Sequence, residues 1–288
     1  MLRWAKRLLA GLLVIVVIAV GAVYIQSNRI INRRYAFHEH PIALPTDSVS
    51  LVQGYRFAKM HCFGCHGDSL QGNAAFFDEP NIARLVSANI PKALTTLTNA
   101  ELAGLLRSGV RKDGTSPFVM PPRGFYHISD QDLGALIAYL RSLPVPQNDL
   151  PPNSYRILGR VGLVMGQMRT AAADFDTTQE RVGQDPAWAT ARHGEYLARL
   201  TCSGCHGSRL TGDPAPEGGT TPSPALIQAL GYSLEEFRPL LRTGTPREAG
   251  KQLGMMRDAA RRMLNQLSDE EIGQIYAYLK TMPAKGAY

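Results

Sequence analysis

The sequence predicts an all-α protein in which one N-terminal transmembrane helix precedes two helical units of similar order. Three observations support this fold class. The N-terminal region contains a long apolar run, four capping boxes precede amphipathic stretches, and one succession of motifs occurs twice within 288 residues. A chain of this length accommodates two domains of about 100 residues each, together with additional segments.

The apolar run extends from residue 8 to residue 25 and contains no charged side chain. At a rise of about 1.5 Å per residue, such a helix is about 27 Å long, close to the thickness of the hydrocarbon core of a bilayer. Trp4 and Tyr24 lie near its ends, where these side chains favour the membrane interface. The alternative is a cleaved signal peptide with small residues around Ala19–Ala22. Because the apolar region of a signal peptide is usually shorter than this run, an uncleaved anchor is favoured.

The formal net charge of +7 comes mainly from the flanks of this segment. The first 34 residues carry six of the 31 basic side chains and no acidic one, so the remaining chain balances 25 basic against 24 acidic side chains. The sequence also lacks a basic stripe with interleaved aromatic residues. This distribution argues against a nucleic-acid partner.

Two pentapeptides contain every cysteine of the chain. They are Cys62-Phe-Gly-Cys65-His66 and Cys202-Ser-Gly-Cys205-His206, and a glycine follows each. The pattern Cys-x-x-Cys-His is typical of covalent haem attachment. Two thiols on one helical turn can form thioethers to the two vinyl groups of a porphyrin, while the adjacent histidine binds the iron. The sequence therefore predicts two haem c groups, with the histidine of each motif as proximal ligand.

Three other interpretations of these motifs are weaker. A structural zinc site needs four ligands, whereas each motif offers three and the two motifs lie 140 positions apart. A redox dithiol does not require the histidine. Two disulfides are possible outside the cytoplasm, but they would leave the repeated histidine unexplained.

The two units follow the same order around their motifs. In each, a helix leads into the motif and carries a glycine eight residues before the first cysteine, Gly54 or Gly194. Residues 68–97 of the first unit are expected to be irregular. Capping boxes then open a middle helix and a last helix in each unit, at Thr98–Glu101, Ser129–Asp132, Ser233–Glu236 and Ser268–Glu271. This recurrence indicates an internal duplication.

Each unit resembles a class I cytochrome c domain in its helix order, its Cys-x-x-Cys-His motif and a methionine loop before the last helix. The resemblance covers both units, about two-thirds of the chain. The whole most resembles the membrane-anchored dihaem cytochromes c of bacteria. The resemblance implies all-α domains packed around haem, whose first and last helices cross near Gly54 and Gly194. Tyr139 and Tyr278 are expected near these crossings.

The predicted boundaries follow the duplication. Residues 1–34 comprise a cytoplasmic tail, the transmembrane anchor and its basic flank, 35–45 a connector, 46–143 cytochrome c domain 1, 144–185 an interdomain linker, 186–283 cytochrome c domain 2, and 284–288 a tail. The linker begins with a proline-rich stretch, which favours a semi-rigid spacer. Its remainder, 153–185, either packs between the domains or against a partner subunit, or it acts as a flexible tether, and both interpretations remain open.

The resemblance implies a methionine from the loop before the last helix as sixth ligand of each iron. In the first unit Met120 precedes two prolines in this loop and is the predicted ligand. In the second unit the candidates are Met255, Met256 and Met263, and no proline follows any of them. Met256 is preferred, because Leu253-Gly-Met-Met256 resembles a variant of the family's loop. The predicted metal ligands are therefore His66, Met120, His206 and Met256.

Polar residues outside the motifs receive simpler interpretations. Arg107 and Arg242 occupy equivalent places before a glycine, where pairing with a haem propionate and complementing the helix dipole are both open. The other histidines are expected to be surface or packing residues. They are His38, His40, His61, His127 and His193.

These features favour an electron carrier over an enzyme. In the family that the chain resembles, haem c assembles outside the cytoplasm, so the haem domains are expected in the periplasm. One helix would hold them to a bacterial inner membrane, with the N-terminus in the cytoplasm. Expected partners are a dehydrogenase, a small cytochrome, or a terminal oxidase or reductase. The alternative is a haem oxidoreductase such as a dihaem peroxidase, which requires an open axial position on the second iron.

Overall fold

The computed structural model describes residues 2–120, 122–173, 180–183, 192–214 and 222–282. Its helices are α1 (Leu2–Ile31), α2 (Ser48–His61), α3 (Phe63–His66), α4 (Ile90–Leu94), α5 (Asn99–Ser108), α6 (Pro122–His127), α7 (Asp130–Arg141), α8 (Ile157–Val164), α9 (His193–His206), α10 (Leu234–Thr243), α11 (Met255–Arg262) and α12 (Asp269–Leu279). Three short strands, β1 (Asn73–Glu79), β2 (Ala83–Ser87) and β3 (Ser154–Tyr155), form one antiparallel sheet in this order. The predominance of helix confirms the predicted fold class.

Helix α1 includes the apolar run. Within the part of the chain that the structure describes, it is the one helix whose length and composition suit a membrane crossing, with a mean hydropathy of 2.9. From residue 3 to residue 20 all of its side chains are exposed. This uncovered apolar stretch makes α1 a candidate for a membrane span.

The predicted caps set the ends of the middle and last helices. Thr98, Ser233 and Ser268 each accept a hydrogen bond from the backbone N–H three residues on, and the glutamate there accepts one from the backbone N–H of the cap residue. At Ser129 only the first of the two bonds forms. Helices α5 and α10 end at Gly109 and Gly244, which adopt left-handed backbone conformations that favour glycine.

The first and last helices of each unit cross at the predicted glycines. A Cβ atom on Gly54 would lie 2.1 Å from the carbonyl oxygen of Ala135, and one on Gly194 would lie 2.0 Å from that of Gln274. The Tyr139 ring packs edge-on against Tyr55 beside the first crossing, with 5.5 Å between ring centroids. These helix pairs form the frame on which each haem motif is mounted.

Substituting Gly194 by alanine is expected to destabilise the second unit by about 2 kcal/mol or more, because backbone must move to admit the methyl group. Gly273 on the partner helix α12 is the matched control, since a Cβ there meets nothing within 4 Å. Gly273→Ala is expected to be neutral or to stabilise by up to about 1 kcal/mol through helix propensity. Denaturant unfolding of both variants measures the difference. Equal stabilities would contradict a close crossing.

The sequence suggested that residues 68–97 are irregular, and this prediction is wrong for part of the segment. A hairpin of β1 and β2 turns at residues 80–82, and β2 buries alternate side chains, Ala83, Leu85 and Ser87. The third strand comes from the linker and pairs Tyr155 with Ala83. This pairing joins segments about 70 residues apart, so local patterns carry no signal for it.

The described part of the linker lies against the first unit. Asn148 donates a hydrogen bond to the carbonyl of Gln71 (2.9 Å), and the backbone of Ala171 donates one to that of Pro117 (2.8 Å). Farther on, Arg181 donates to the carbonyl of Tyr126 (2.9 Å). In the described part of 153–185, residues 153–173 and 180–183, the flexible tether is therefore wrong, because these residues pack on the first unit.

The two units share an extensive contact. Helix α6 of the first unit packs on α9 of the second so closely that a Cβ on Gly124 would lie 2.5 Å from the carbonyl oxygen of Leu200. The hydroxyl of Tyr196 donates to Asp132 across this contact at 2.6 Å. Arg56 pairs with Glu271 and also donates to the carbonyl of Gln266 at 2.8 Å. The haem motif of α9 is thereby held against the first unit.

The ion pair between Arg56 and Glu271 is expected to make the contact pH-dependent. Burial tends to raise the pKa of Glu271, but hydrogen bonds from Arg56 and the Ser268 backbone outweigh it, so the pKa lies below its ordinary value. The stabilisation is present above the ordinary glutamate pKa and is lost as pH falls through the lowered pKa. We expect Arg56→Met to cost about 2 kcal/mol at pH 7, and less as the solution is acidified through that range.

The control for this prediction is Lys92→Met. Its partner Asp149 is 99% exposed, so this pair is screened by solvent and its loss is expected to have no measurable effect. Urea unfolding of both variants between pH 7 and pH 3 measures the two dependences. A cost of Arg56→Met that stays constant over this interval would contradict an electrostatic contact.

Candidate haem sites

Both Cys-x-x-Cys-His motifs lie at the end of the helix that crosses the last helix of the unit. Cys62 stands at the junction of α2 and α3, and the second motif forms the last turn of α9. Helical spacing places the two sulfur atoms of each motif on one turn. The structure joins none of these four cysteines in a disulfide.

The proximal histidines are oriented in the same way in both units. Nδ1 of His66 donates to the carbonyl oxygen of Ala88 (2.7 Å), and Nδ1 of His206 donates to that of Pro224 (2.8 Å). A carbonyl can only accept, so it fixes the tautomer with the proton on Nδ1 and leaves the Nε2 lone pair free for a metal. Burial lowers the pKa of both imidazoles, which favours the neutral form that binds iron.

A tight loop follows each histidine and has the sequence Gly-x-x-Leu-x-Gly. Its leucines, Leu70 and Leu210, are fully buried and adopt φ values of 56° and 60°, which side-chain-bearing residues rarely occupy. The next glycine of each loop donates its N–H to the histidine carbonyl, at 2.8 Å for Gly72 and 3.0 Å for Gly212. Two repeats of one strained conformation indicate a cradle that the fold maintains for a function.

A serine closes each cradle and was not predicted from the sequence. The hydroxyl of Ser87 donates to the carbonyl of Cys65 at 2.6 Å, and that of Ser223 makes the same bond to Cys205. Each serine directly precedes the residue whose carbonyl holds the histidine. The recurring Ser-x-x-Ile/Leu at Ser87 and Ser223 is the signal that could have found them.

The leading cysteine of each motif is at least partly buried. Burial raises the pKa of Cys62 to about 12 and that of Cys202 to about 11, a setting unlike the electropositive, accessible one of a redox cysteine. Among the residues that the structure describes, no group of three or more His, Cys, Asp or Glu side chains could hold a metal ion. Each motif offers two thiols that can add to the vinyl groups and one oriented imidazole that can bind the iron, which is what a haem c requires.

The predicted methionine ligands occupy corresponding places. Met120 lies just before α6, and Met256 lies in the first turn of α11, so each stands at the start of the helix preceding the last helix of its unit. Both are partly buried against the core, as is Met263. Met255 is 44% exposed. Met263 follows the end of α11.

The equivalent arginines are engaged by protein groups. Arg107 contacts Asp130 and donates to the carbonyl of Ile128 (3.1 Å), and Arg242 donates to Asp269 (2.7 Å). Each pair joins the end of the middle helix to the first residue of the last helix. This clamp occurs in both units.

His38 is exposed, and the other four histidines outside the motifs take part in packing or hydrogen bonds. His127 is 2% exposed, His61 stacks on Phe57, and His193 contacts the side-chain oxygen of Gln274 at 2.7 Å. His40 contacts Asp130 and Arg107, beside the first clamp. These contacts agree with the predicted packing roles.

The chain is similar in sequence to known cytochromes c. Residues 51–144 and 191–283 match the cytochrome c family, which is more than half of the chain. The cytochrome c subunit of gluconate 2-dehydrogenase from Pantoea cypripedii is 29% identical over 78% of this chain and 58% of its own length. The fructose dehydrogenase cytochrome subunit from Gluconobacter japonicus is 25% identical over 82% and 53%, respectively.

A third relative is closer to the chain in length. The diheme cytochrome c-type protein of Cereibacter sphaeroides is 26% identical over 76% of this chain and 75% of its own length. The chain spans a little more than half the length of the two dehydrogenase subunits it matches. Two matching segments, each with its own motif and cradle, show that the chain belongs to the cytochrome c family as an electron-transport protein with two haem c groups.

Proposed function

We propose that the protein is the electron-transfer subunit of a membrane-bound periplasmic dehydrogenase. It passes electrons through two His/Met-ligated haems to a respiratory acceptor and catalyses no reaction of its own. The observation that carries this proposal is the duplicated cradle around His66 and His206, because it holds two equivalent electron-transfer centres in one chain. The similarity to cytochrome subunits of gluconate and fructose dehydrogenases supports a dehydrogenase as the electron donor.

Met120 and Met256 are the proposed distal ligands. Both occupy the start of the helix before the last one, and both are partly buried, as a ligand within a haem pocket must be. Met255 is 44% exposed, and Met263 lies at the opposite end of α11. Methionine sulfur stabilises ferrous iron and raises the potential of His/Met cytochromes. Filled axial positions on both irons would leave no site for the chemistry of a peroxidase.

The chain's own residues prepare each centre for electron transfer. When bound, haem c supplies an iron that alternates between the ferric and ferrous states. The carbonyls of Ala88 and Pro224 keep the imidazoles from rotating, and they increase the basicity of Nε2. Buried leucines at the cradles, Leu70 and Leu210, exclude water. A rigid haem pocket without water limits how far protein and solvent must reorganise when the iron changes its charge.

Helix α1 is the proposed anchor, with its N-terminus in the cytoplasm and the haem domains in the periplasm of a bacterium. Its exposed apolar surface supports a lipid environment. The extensive contact between the units supports a single body that carries both haems at the membrane surface. Such tethering raises the local concentration of the haems near membrane-bound partners.

Purification from the native membrane in mild detergent tests this proposal. Haem staining and mass spectrometry of the co-eluting proteins identify the partner. A stoichiometric dehydrogenase subunit is the expected result. A chain that elutes alone with both haems would contradict a dedicated subunit and would favour a tethered shuttle that also serves a small cytochrome, oxidase or reductase.

A further inference from the structure

Helix α8 of the linker has one face fixed against the protein. Gly159, Gly162 and Leu163 are buried on this face. A Cβ on Gly159 would lie 2.1 Å from the carbonyl oxygen of Ile82, in the turn between β1 and β2. The backbone of α8 therefore lies directly on the hairpin, and its rotation about its own axis is fixed.

The opposite face of α8 is apolar and exposed. Ile157, Leu158, Val164 and Met165 have exposed fractions of 41%, 55%, 37% and 65%. At about 100° per residue these side chains, with the half-buried Val161, fall within an arc of about 120°. This helix buries its glycines and exposes its large apolar side chains. Such an exposed apolar face indicates contact with an apolar partner or a membrane.

The location of α8 identifies that surrounding. Arg160 donates hydrogen bonds to Ser27 and Asn28 of α1, both at 2.9 Å, and its guanidinium lies over the Tyr24 ring, 4.4 Å from the centroid. Ser27 is fully buried by this contact. Helix α8 is thus attached to α1 at the end of the apolar run, where the proposed membrane span leaves the hydrocarbon.

The charges near α8 suit a lipid headgroup region. Residues 154–173 contain three arginines, Arg156, Arg160 and Arg169, and no acidic residue. Arg156 pairs with Asp78 at 2.9 Å and Arg160 is bound to α1, so the basic character of the segment as a whole, rather than a free guanidinium, is what favours anionic phosphates beside the apolar face. The lipid around the exposed end of α1, at Tyr24 and Ile25, is continuous with this level.

We propose that α8 is an interfacial helix whose face of Ile157, Leu158, Val164 and Met165 lies in the headgroup–acyl boundary of the outer leaflet. This inference rests on the proposed span through α1. The chain then contacts the bilayer at two places, the span and a helix built on the sheet of the first unit. Two contacts prevent the first unit from turning about the axis of α1, so its haem keeps one height and one orientation above the membrane.

Photocrosslinking in native membranes tests this arrangement with the full-length, haem-containing protein. The amino acid p-benzoylphenylalanine replaces Leu158, because a benzophenone forms a bond with any C–H group in contact. Val49 of α2, which is 78% exposed, is the matched control site on the first unit. Ile18 of α1, which is 65% exposed, reports on the span itself. Mass spectrometry of the irradiated chain then detects added phospholipid.

We expect lipid adducts at position 158 and at position 18, and no lipid adduct at position 49. An adduct at position 18 alone would overturn the interfacial helix and leave the span intact. No adduct at either position would overturn the span, and the proposal for α8 with it. A crosslink from position 158 to another polypeptide would overturn the lipid contact and make this face a subunit interface.

Discussion

Replacing Cys202 and Cys205 by alanine is expected to leave one covalent haem where the chain otherwise carries two. Both thiols of the second motif are lost, so no thioether can hold the porphyrin there. The first motif keeps its own cradle, with Ser87 and Ala88 around it, and is expected to load normally. Intact mass of the purified chain, together with haem staining after denaturation, measures the loss of one haem.

Two further variants make this result specific. The double variant Cys62→Ala with Cys65→Ala is expected to lose the other haem and to keep the one at the second motif. Ser203→Ala is the matched control within the second motif, because Ser203 is buried but supplies no attachment atom. It should retain both haems. Two covalent haems on the double variant at Cys202 and Cys205 would refute the assignment of the motifs.

The features predicted from the sequence are those with a local physical cause. A serine or threonine followed three residues later by glutamate satisfies free backbone donors wherever it occurs, so Thr98, Ser233 and Ser268 begin their helices as expected. Likewise, the spacing of Gly54 from its motif sets which turn of the helix faces the crossing partner. Neither inference needs knowledge of distant residues.

The features that were missed depend on distant parts of the chain. The carbonyl acceptors of the histidines lie 22 residues after His66 but 18 residues after His206, because the intervening loops differ in length. A search for fixed spacing therefore overlooks them. Strand β3 and helix α8 join the first unit through contacts with Ile82 and with α1, and neither contact leaves a periodic pattern in the linker.

Replacing Met256 by leucine is expected to lower the midpoint potential of one of the two haems by at least about 0.1 V, because the iron loses its sulfur ligand. Axial ligands set haem potentials over a range of about 0.8 V. Leucine has nearly the same volume as methionine, so the fold is expected to survive the change. A spectroelectrochemical titration separates the two potentials, and electron paramagnetic resonance reports whether the ferric iron has become high-spin.

Two matched variants within 10 residues decide which sulfur acts. Met255→Leu alters a side chain that is 44% exposed, and Met263→Leu alters one packed against the core after α11. Both should keep two low-spin haems and both potentials, since neither sulfur lies at the place that Met120 holds in the first unit. A potential shift confined to Met263→Leu would transfer the ligand to that residue. If no methionine in this region changed the second haem, its distal position would be open, and a peroxidase-like function would replace electron transfer as the better hypothesis for that unit.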